Sequence, residues 1–424
     1  MSKRTILFLI FLLSGTLLNT TSYGQTLLKT GKWYAKLSRE DGHAIPFELE
    51  VKKQGSSYTI AVVNGTESLL TESNFSGDSV TIQMPVFESS FRAKINRPDS
   101  ISGRWIKGGP VKDLVMPFTA VAGGDRFPGK AGAATSEAAR TALSPGEIGG
   151  KWDMDIIRAD QTRRKAIGEF IQQERRLSGS VLTPSGDYRY LAGTFAGDSL
   201  FLSTFDGIHA ILIKGRMMPD HTAPALEGML YSSTSAPEKW TAVKDASVKL
   251  APAVTTVKEG SDGKPAFSYK DLDGKTVSLS DERFKDKVVV LQLMGSWCPN
   301  CMDETAFLSE YYRRNKSRGV EIIGLAYELT TDVERSAKSL QKFRDKFAVE
   351  YPMLITGVAV GDPQRTEKTL PQLSEIKVFP TSVILDKKGV IREISTSFYG
   401  PATGEYYTKY KTHFENAVNR LLNE

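Results

Sequence analysis

The sequence predicts a multidomain protein in which two all-β repeat units, each a barrel or a sandwich, are followed by an α/β domain. Three observations support this fold class. Residues 25–250 contain short runs in which apolar and polar residues alternate, and several short motifs of this region occur twice. Beyond residue 258 the alternating runs give way to continuous apolar runs separated by helical patterns. A chain of 424 residues is also long enough to form several domains.

Residues 1–24 have the features of a secretory signal peptide. Lys3 and Arg4 supply the positive start, residues 5–18 form the apolar stretch, and small residues flank Tyr23 where a peptidase would cleave. A membrane-spanning helix needs about 20 apolar residues, so we expect cleavage after this segment rather than an uncleaved anchor. The mature protein is then expected to be soluble and either periplasmic or secreted.

The composition is that of an ordinary soluble protein, with 40% hydrophobic and 25% charged residues. The formal net charge is only +6. No basic cluster is interleaved with aromatic residues, as would be typical of a nucleic-acid-binding surface. The sequence therefore predicts no nucleic-acid partner.

The first β-rich unit, predicted at residues 25–122, contains several strand-like runs. The runs FELEV, YTIAVV, VTIQM and FRAKI place apolar and polar residues as half-buried strands do. Asn64-Gly65 follows the second of these runs and is a favoured hairpin turn. The unit is therefore expected to be an antiparallel sheet with short connections.

Three motifs of the first unit recur in the same order in a second unit, predicted at residues 149–246. GKW recurs as GKW, FSGDSV recurs as FAGDSL, and FTAV recurs as WTAV. This order indicates two homologous units. We predict that the repeated aspartates, Asp78 and Asp198, lie in hairpin turns. The tryptophans of the two units are predicted to lie in their cores: Trp33, Trp152 and Trp240.

Two linkers are predicted between the units. Residues 123–148 are rich in small residues and are expected to be a flexible linker, and residues 247–257 are expected to join the second unit to the α/β domain. The Gly-Lys-Trp that opens each unit is loosely similar to lipocalin-like barrels. A sandwich remains the alternative architecture for both units.

The α/β domain is predicted at residues 258–424. KVVVLQLM and VEIIGLA are continuous apolar runs typical of buried strands. A helix is expected after each of them, and Thr331 with Glu334 is expected to cap the second helix as a capping box. SVILD and VIREIS are predicted to form a hairpin, and a final helix closes the domain.

Cys298 and Cys301 are the only two cysteines of the chain. A disulfide that closes so small a loop restrains little of the unfolded chain, so the pair is expected to be reactive rather than structural. Cys298 falls where a helix begins, and the partial positive charge of a helix N-terminus favours thiolate over thiol. We therefore predict that Cys298 attacks a disulfide and that Cys301, one helical turn on, resolves the mixed disulfide. Pro299 suits the first helical turn, and Trp297 gives an aromatic wall beside the nucleophile.

These residues carry a resemblance to a known family. Trp-Cys-Pro-Asn-Cys after a buried strand resembles the active site of thioredoxin-fold oxidoreductases, and Glu304 completes a W-C-x-x-C-x-x-E pattern similar to that of periplasmic TlpA/ResA-like thiol–disulfide reductases. Pro265-Ala266-Phe267 resembles the start of that domain. The segment from Val378 to Thr381 resembles the loop that holds the fold's cis-proline, here Pro380. The resemblance covers residues 258–424.

The resemblance implies a thioredoxin-like fold, protein disulfides as substrates, no cofactor, and a membrane thiol reductase as electron donor. It also implies roles for single residues. Pro380 is expected to follow a cis peptide bond beside the cysteines, and the backbone of Phe379 is expected to pair with a substrate strand. Trp297, Pro299 and Asn300 are the other residues expected to contact the substrate.

Glu304 is predicted to relay a proton for Cys301. The family's thioredoxin members carry a buried acid six residues before the first cysteine, and that position here is Gln292, which cannot take a proton. The alternative is that Glu304 only stabilises the first turns of its helix.

Other functions are weighed against reduction of disulfides. A disulfide oxidase or isomerase of the same fold is one alternative, and another is a ligand- or partner-binding protein with an accessory redox domain. Peroxidase activity is disfavoured because the lone-cysteine arrangement of peroxiredoxins is missing. Zinc needs about four ligands, and the four histidines are scattered, so no metal is expected. Two of them, His43 and His209, are expected to be structural.

Overall fold

The computed structural model describes residues 28–55, 57–124, 126, 148–218 and 223–424. The predicted signal peptide, residues 1–24, lies outside the described residues, as does nearly all of the predicted linker at residues 123–148. Within the described residues, no helix is both long and apolar enough to cross a membrane.

The first β-rich segment forms a nine-stranded antiparallel sheet in which each strand pairs with its neighbours in the chain, except that the fourth and fifth strands are the two edges of the sheet and do not pair. The first and last strands also pair, through Leu37 and Phe118. The fourth and fifth strands are separated by Thr71 alone and form the two halves of one bent strand, so the sheet curls into a ring, called here the first barrel. Its strands are β1 (Gly31–Ser38), β2 (Ala44–Gln54), β3 (Ser57–Asn64), β4 (Glu67–Leu70), β5 (Glu72–Ser76), β6 (Ser79–Gln83), β7 (Ser89–Arg97), β8 (Ser100–Lys107) and β9 (Leu114–Ala122).

The second β-rich segment closes completely by hydrogen bonds and is called here the second barrel. The pairing of its first and last strands closes a ring of eight strands, and a short additional strand extends one of them. Strand pairing therefore favours a barrel over a sandwich. Its strands are β10 (Gly150–Ile157), β11 (Arg163–Gln173), β12 (Arg176–Thr183), β13 (Gly186–Asp187), β14 (Leu191–Ala196), β15 (Ser199–Phe205), β16 (Ala210–Met218), β17 (Ala225–Ser232) and β18 (Glu238–Lys244).

The repeated motifs occupy equivalent places in the two barrels. Trp33 and Trp152 are fully buried, and each donates its indole N–H to the carbonyl four residues earlier. Trp240 is also buried. Asp78 and Asp198 lie in two-residue hairpin loops, where the preceding glycines adopt φ of 58° and 65°. The predictions of core tryptophans and turn aspartates are confirmed.

The two barrels share an apolar contact. Phe205, at the end of β15, packs into the core of the first barrel, with ring centroids 4.6 Å from Phe47 and 5.3 Å from Phe91. The buried side chain of Asn64 donates to the carbonyl of Phe205 at 2.6 Å and accepts its N–H at 3.1 Å. The hairpin that follows β15 is thus held at a defined place on the first barrel.

The C-terminal segment is a seven-stranded mixed sheet with four α-helices. The order of its strands is β20-β19-β23-β22-β21-β24-β25, and the three central strands β21, β22 and β23 run parallel. The strands are β19 (Ser268–Asp271), β20 (Thr276–Ser278), β21 (Val288–Met294), β22 (Val320–Ala326), β23 (Met353–Ile355), β24 (Thr381–Leu385) and β25 (Ile391–Ser395). The helices are α1 (Pro299–Asn315), α2 (Val333–Phe347), α3 (Arg365–Thr369) and α4 (Glu405–Asn423).

Both faces of this sheet are covered, which explains the continuous apolar runs. On β21, Val288 and Val290 face a core formed with α1, α2 and α4, whereas Leu291 and Leu293 face a separate core on the other side. The predicted capping box of α2 is wrong. Asp332, not Thr331, is the N-cap, and its carboxylate accepts the N–H of Arg335 at 3.0 Å.

Candidate active site

The two cysteines lie at the junction of β21 and α1. The strand ends at Met294, a turn follows, and Cys298 is the N-cap of α1. The turn must be tight, because a Cβ at Gly295 would lie 2.2 Å from Nε1 of Trp297. Trp297 donates that N–H to the carbonyl of Tyr327 at 2.8 Å, so the indole is fixed beside the cysteines.

Both thiols are free and buried. The Sγ of Cys298 accepts the backbone N–H of Cys301 at 3.2 Å, as the helix N-terminus should allow. Cys298 is the more exposed of the two, but only 4% of its surface is accessible against 0% for Cys301. Burial raises the pKa of Cys301 well above its ordinary value, and the neighbouring sulfur of Cys298 and the carboxylate of Glu304 raise it further.

The loop before β24 approaches Cys298 from the other side. The Phe379–Pro380 peptide bond is cis, as predicted. The carbonyl of Phe379 lies 3.6 Å from the Sγ of Cys298, and the Phe379 ring meets Trp297 edge to face at 5.8 Å. The structure thus brings Trp297, Cys298, Phe379 and Pro380 together.

Glu304 is buried and is bound by three side chains from three other elements. Its carboxylate accepts from Gln292 at 3.0 Å, from Ser382 at 2.9 Å and from Tyr410 at 2.6 Å. Burial raises the pKa of Glu304, while these hydrogen bonds oppose the rise. No hydrogen bond joins Glu304 to Cys301 in the described structure, so its influence on that thiol is electrostatic.

The partners of Glu304 are not evident from the sequence. The pattern around the cysteines indicates Gln292 only as a residue that cannot hold a proton, and in the fold its amide donates to the carboxylate. Ser382 lies on β24 and Tyr410 on α4, so they meet Glu304 only in the folded chain. No local motif in the sequence could have identified these two residues.

A second carboxylate lies close to the cysteine loop. Glu328, just after β22, accepts both the N–H and the hydroxyl of Ser296. Burial raises the pKa of Glu328 to about 7. This carboxylate holds the turn that leads into Trp297 and Cys298, and no motif in the sequence indicates it.

The second barrel forms the opposite wall of the cysteine site. A cleft of about 850 Å³ separates the two walls. Cys298, Asn300 and Phe379 lie on one side, and residues of the second barrel that include Asp187 and His209 lie on the other. This cleft is called the active-site cleft below. The sequence did not predict that a β-rich unit would cover the cysteines.

Asn300, between the two cysteines, is held by the second barrel. Its side-chain amide donates to Asp187 at 2.7 Å. The sequence predicts that Asn300 contacts the substrate, and the structure adds that its amide already has a partner within the chain. Pro299 lines the active-site cleft, where a substrate-contacting residue is expected.

A buried charge cluster joins α1 to both barrels. Arg189 of the second barrel forms ion pairs with Glu67 of the first barrel and with Asp303 of α1, the latter at 3.0 Å. Burial raises the pKa of Asp303 to about 8, although Arg189 opposes the rise. These three residues are called the Arg189 cluster. Sequence reasoning missed it, because its members come from three separate segments.

Two histidines, His43 and His209, make contacts within the β-rich segments. The backbone and the ring of His209 bind Asp206 within the hairpin between β15 and β16, and the half-exposed ring also lines the active-site cleft. His43 packs against Tyr231, with ring centroids 4.2 Å apart. Among the described residues, no group of three or more histidine, cysteine or acidic side chains could hold a metal ion.

The arrangement is suited to thiol–disulfide exchange. One sulfur receives a hydrogen bond at a helix N-terminus and opens to a cleft, and the second sulfur lies behind it with a high pKa. Such a pair can form a mixed disulfide and then release it by closing an internal disulfide.

Comparisons with known proteins agree with this chemistry. Residues 261–394 match the AhpC/TSA family. The chain is 33% identical over 147 residues to thiol-disulfide oxidoreductase ResA of Bacillus thuringiensis subsp. konkukian (strain 97-27), a match that covers 34% of this chain and 73% of that protein. For ResA of Bacillus subtilis (strain 168) the identity is 27% over 141 residues, covering 33% and 69%.

A solved structure is also similar to the C-terminal part. It is a thiol:disulfide interchange protein of the thioredoxin family from Chlorobium tepidum TLS, with a TM-score of 0.30 and 20% identity, and the match covers 41% of this chain and 99% of that one. The family is shown by the ResA of Bacillus thuringiensis, because the match spans most of that protein at 33% identity. Through its C-terminal thioredoxin-like domain, the chain belongs to the ResA family and is a thiol–disulfide oxidoreductase.

Proposed function

We propose that the protein is exported and reduces protein disulfides through the Cys298–Cys301 dithiol. The observation that carries this proposal is the position of Cys298. Cys298 is the N-cap of α1, and its Sγ accepts the N–H of Cys301. The same sulfur lies in the active-site cleft, beside the carbonyl of Phe379. This is the place where a substrate disulfide can reach one sulfur while the other stays covered.

The reaction proceeds in two exchanges. The Cys298 thiolate attacks one sulfur of the substrate disulfide, which breaks the substrate S–S bond, forms a mixed disulfide and releases a substrate thiolate that takes up a proton. Cys301 then loses its proton and attacks the Sγ of Cys298. The second substrate thiol leaves, and two electrons have passed from the dithiol to the substrate. Glu304 is the proposed acceptor of the Cys301 proton, directly or through a water.

The resemblance to ResA-like proteins also supports proposals for the compartment of the protein, its electron donor and its contact with the substrate. Residues 1–24 are proposed to direct export to the periplasm or beyond and to be removed. A membrane thiol reductase is proposed to return electrons to the Cys298–Cys301 disulfide. The backbone of Phe379 is proposed to pair with the substrate strand, since its carbonyl already faces Cys298.

The direction of electron flow is tested by the reduction potential of the full-length dithiol. We expect a value of about −270 mV, as in thioredoxin, whereas a value of about −120 mV would indicate an oxidant. The measurement uses equilibration with dithiothreitol buffers of known composition. An oxidising value would replace the proposal with the oxidase or isomerase alternative.

The roles of the two cysteines are tested by trapping. The Cys301→Ser variant should accumulate mixed disulfides with substrate proteins, because the resolving thiol is missing. The matched Cys298→Ser variant should not accumulate them. Both variants are analysed by non-reducing electrophoresis after alkylation. The reverse pattern would exchange the two roles.

A further inference from the structure

One carboxylate of the second barrel reaches into the motif between the cysteines. Asp187 lies on the short strand β13, and Asn300 lies two residues after Cys298. We propose that Asp187 is a positioning residue for the dithiol, which sets the reactivity of Cys298 through Asn300 from outside the thioredoxin-like domain. This inference rests on the proposed function and extends it to a second part of the chain.

The hydrogen bonds of Asp187 are directed at the cysteine loop and its surroundings. One carboxylate oxygen accepts the amide of Asn300 at 2.7 Å and the N–H of Gly400 at 2.8 Å. The other accepts the N–H of Arg189 at 2.8 Å and the hydroxyl of Ser180 at 3.4 Å. An ionised carboxylate only accepts hydrogen bonds, and all four partners supply donors, so these contacts favour the ionised form of Asp187.

The backbone beside Asp187 is also shaped to receive Asn300. Gly186 has φ of 132°, and a Cβ at this position would lie 2.8 Å from Oδ1 of Asn300. Only glycine lets the barrel backbone come this close without displacing the amide. The close approach is independent of the hydrogen bond, and both features hold the same side chain.

The chemistry of the contact predicts a direction. Burial raises the pKa of Asp187, while its hydrogen bonds and the charge of Arg189 oppose the rise. In its ionised form, Asp187 holds a negative charge against the amide of Asn300, between the two cysteines, and this disfavours a second negative charge on Cys298. A dithiol whose thiolate is less stabilised is a weaker oxidant, because stabilising the reduced form makes the pair oxidising. Asp187 is therefore expected to keep the dithiol reducing. The other charged groups around it are Arg189, Asp303, Asp206 and Glu67.

The test compares full-length variants. Asp187→Asn removes the charge but keeps an oxygen that can accept from Asn300, and Asn300→Ala breaks the same hydrogen bond from the other side. Asp198→Asn is the matched control, since Asp198 is an aspartate of the same barrel in an exposed hairpin turn. Two quantities are measured for each variant: the equilibrium constant with dithiothreitol and the pH dependence of Cys298 alkylation by iodoacetamide.

For Asp187→Asn we expect the equilibrium constant to shift about threefold towards the reduced protein. Alkylation of Cys298 near neutral pH should be about threefold faster than in the parent protein. The control should match the parent protein. In the double variant Asp187→Asn with Asn300→Ala, the combined effect should be smaller than the sum of the two single effects, because the charge of Asp187 acts through the hydrogen bond that Asn300→Ala removes.

Two results would overturn the inference. One is a folded Asp187→Asn variant whose potential and alkylation profile coincide with those of the parent. The other is full additivity in the double variant. If Asp187→Asn does not fold, an Asn300→Ala variant with an unchanged potential and alkylation profile overturns the inference as well. The potential of the parent protein tests the proposed function separately, since this inference concerns only the differences between variants.

Discussion

At the scale of single residues, Cys301 and Glu304 are both disfavoured in their charged forms, because both are buried and burial raises the pKa of each. They lie three positions apart on α1, and the negative carboxylate raises the pKa of the thiol. The resolving step requires the thiol to lose its proton. The two groups should therefore titrate together, and neither should have a simple pKa of its own.

Replacing Glu304 by glutamine tests this coupling. The variant keeps the shape of the side chain but removes the base, so the first attack by Cys298 should stay nearly unchanged. The resolving step should slow, and its pH profile should change between about pH 6 and 9. Stopped-flow reduction of a model disulfide across this range compares the two proteins. Superimposable profiles would leave Glu304 as an acid that only stabilises the core.

At this scale, the sequence predicts those site residues that belong to a short local motif. Cys298, Cys301 and Pro380 were found because a short pattern after a buried strand indicates them. Asp187 was not found, because its contact with Asn300 joins positions far apart in the chain. Nothing in the local pattern around Gly186 and Asp187 distinguishes a hairpin residue from one that binds the cysteine loop.

At the scale of elements, the capping-box pattern predicted the start of α2 to within one residue but assigned the N-cap to the wrong side chain. The predicted capping box used Thr331, but the side chain that accepts an N–H of the first turn belongs to Asp332. Both residue types are good N-caps. The choice between neighbours depends on where the chain leaves the preceding loop, which the sequence pattern does not specify. The strands β21 and β22 were predicted well, because burial on both faces leaves an unbroken apolar run.

The cap assignment predicts unequal effects of two neighbouring substitutions. Asp332→Ala should lower the opening free energy of the first turn of α2 by about 1 kcal/mol, because one N–H loses its partner. Thr331→Ala, the matched control, should change it by less than about 0.5 kcal/mol. Hydrogen exchange of the α2 amides measures both values. A larger cost for Thr331→Ala would return the cap to the position expected from the sequence.

At the scale of the whole molecule, the Arg189 cluster connects three segments that the sequence presents as separate units. Glu67 and Asp303 share one buried guanidinium, although they lie in the first barrel and in α1. The order of the segments along the chain could be predicted from strand patterns and repeats. Their mutual arrangement could not, since buried ion pairs between distant positions leave no periodic signal.

The cluster predicts a pH dependence of stability with a definite sign. Asp303 has a pKa of about 8 in the folded protein, whereas an aspartate of the unfolded chain titrates near about 3.9. Between these two pH values the folded state keeps a proton that the unfolded state loses. The stabilisation that Asp303 gives the folded state is therefore complete below about pH 4 and declines as the pH rises towards about 8. The slope for one proton is at most about 1.4 kcal/mol per pH unit.

Asp303→Asn should remove this part of the pH dependence. Urea unfolding of the full chain at several pH values between about 4 and 8 measures the difference between variant and parent, in which the contributions of carboxyl groups that do not interact with Asp303 cancel. The variant should gain stability relative to the parent as the pH rises. A constant difference across this range would show that Asp303 is ionised throughout.

The closure of the two barrels has a consequence for the time course of folding. Each ring is completed by pairing its first strand with its last, β1 with β9 and β10 with β18, so the closing contacts join the most distant parts of each segment. Contacts of large sequence separation form slowly, because the entropy of a long loop is lost before they contribute. The helix that begins at Cys298 needs only local contacts to form, but the wall opposite it does not exist until the second ring closes. A full-length chain that refolds from denaturant should therefore pass through a stage in which its two thiols are not yet covered by the second barrel and can react with disulfides that the folded protein excludes.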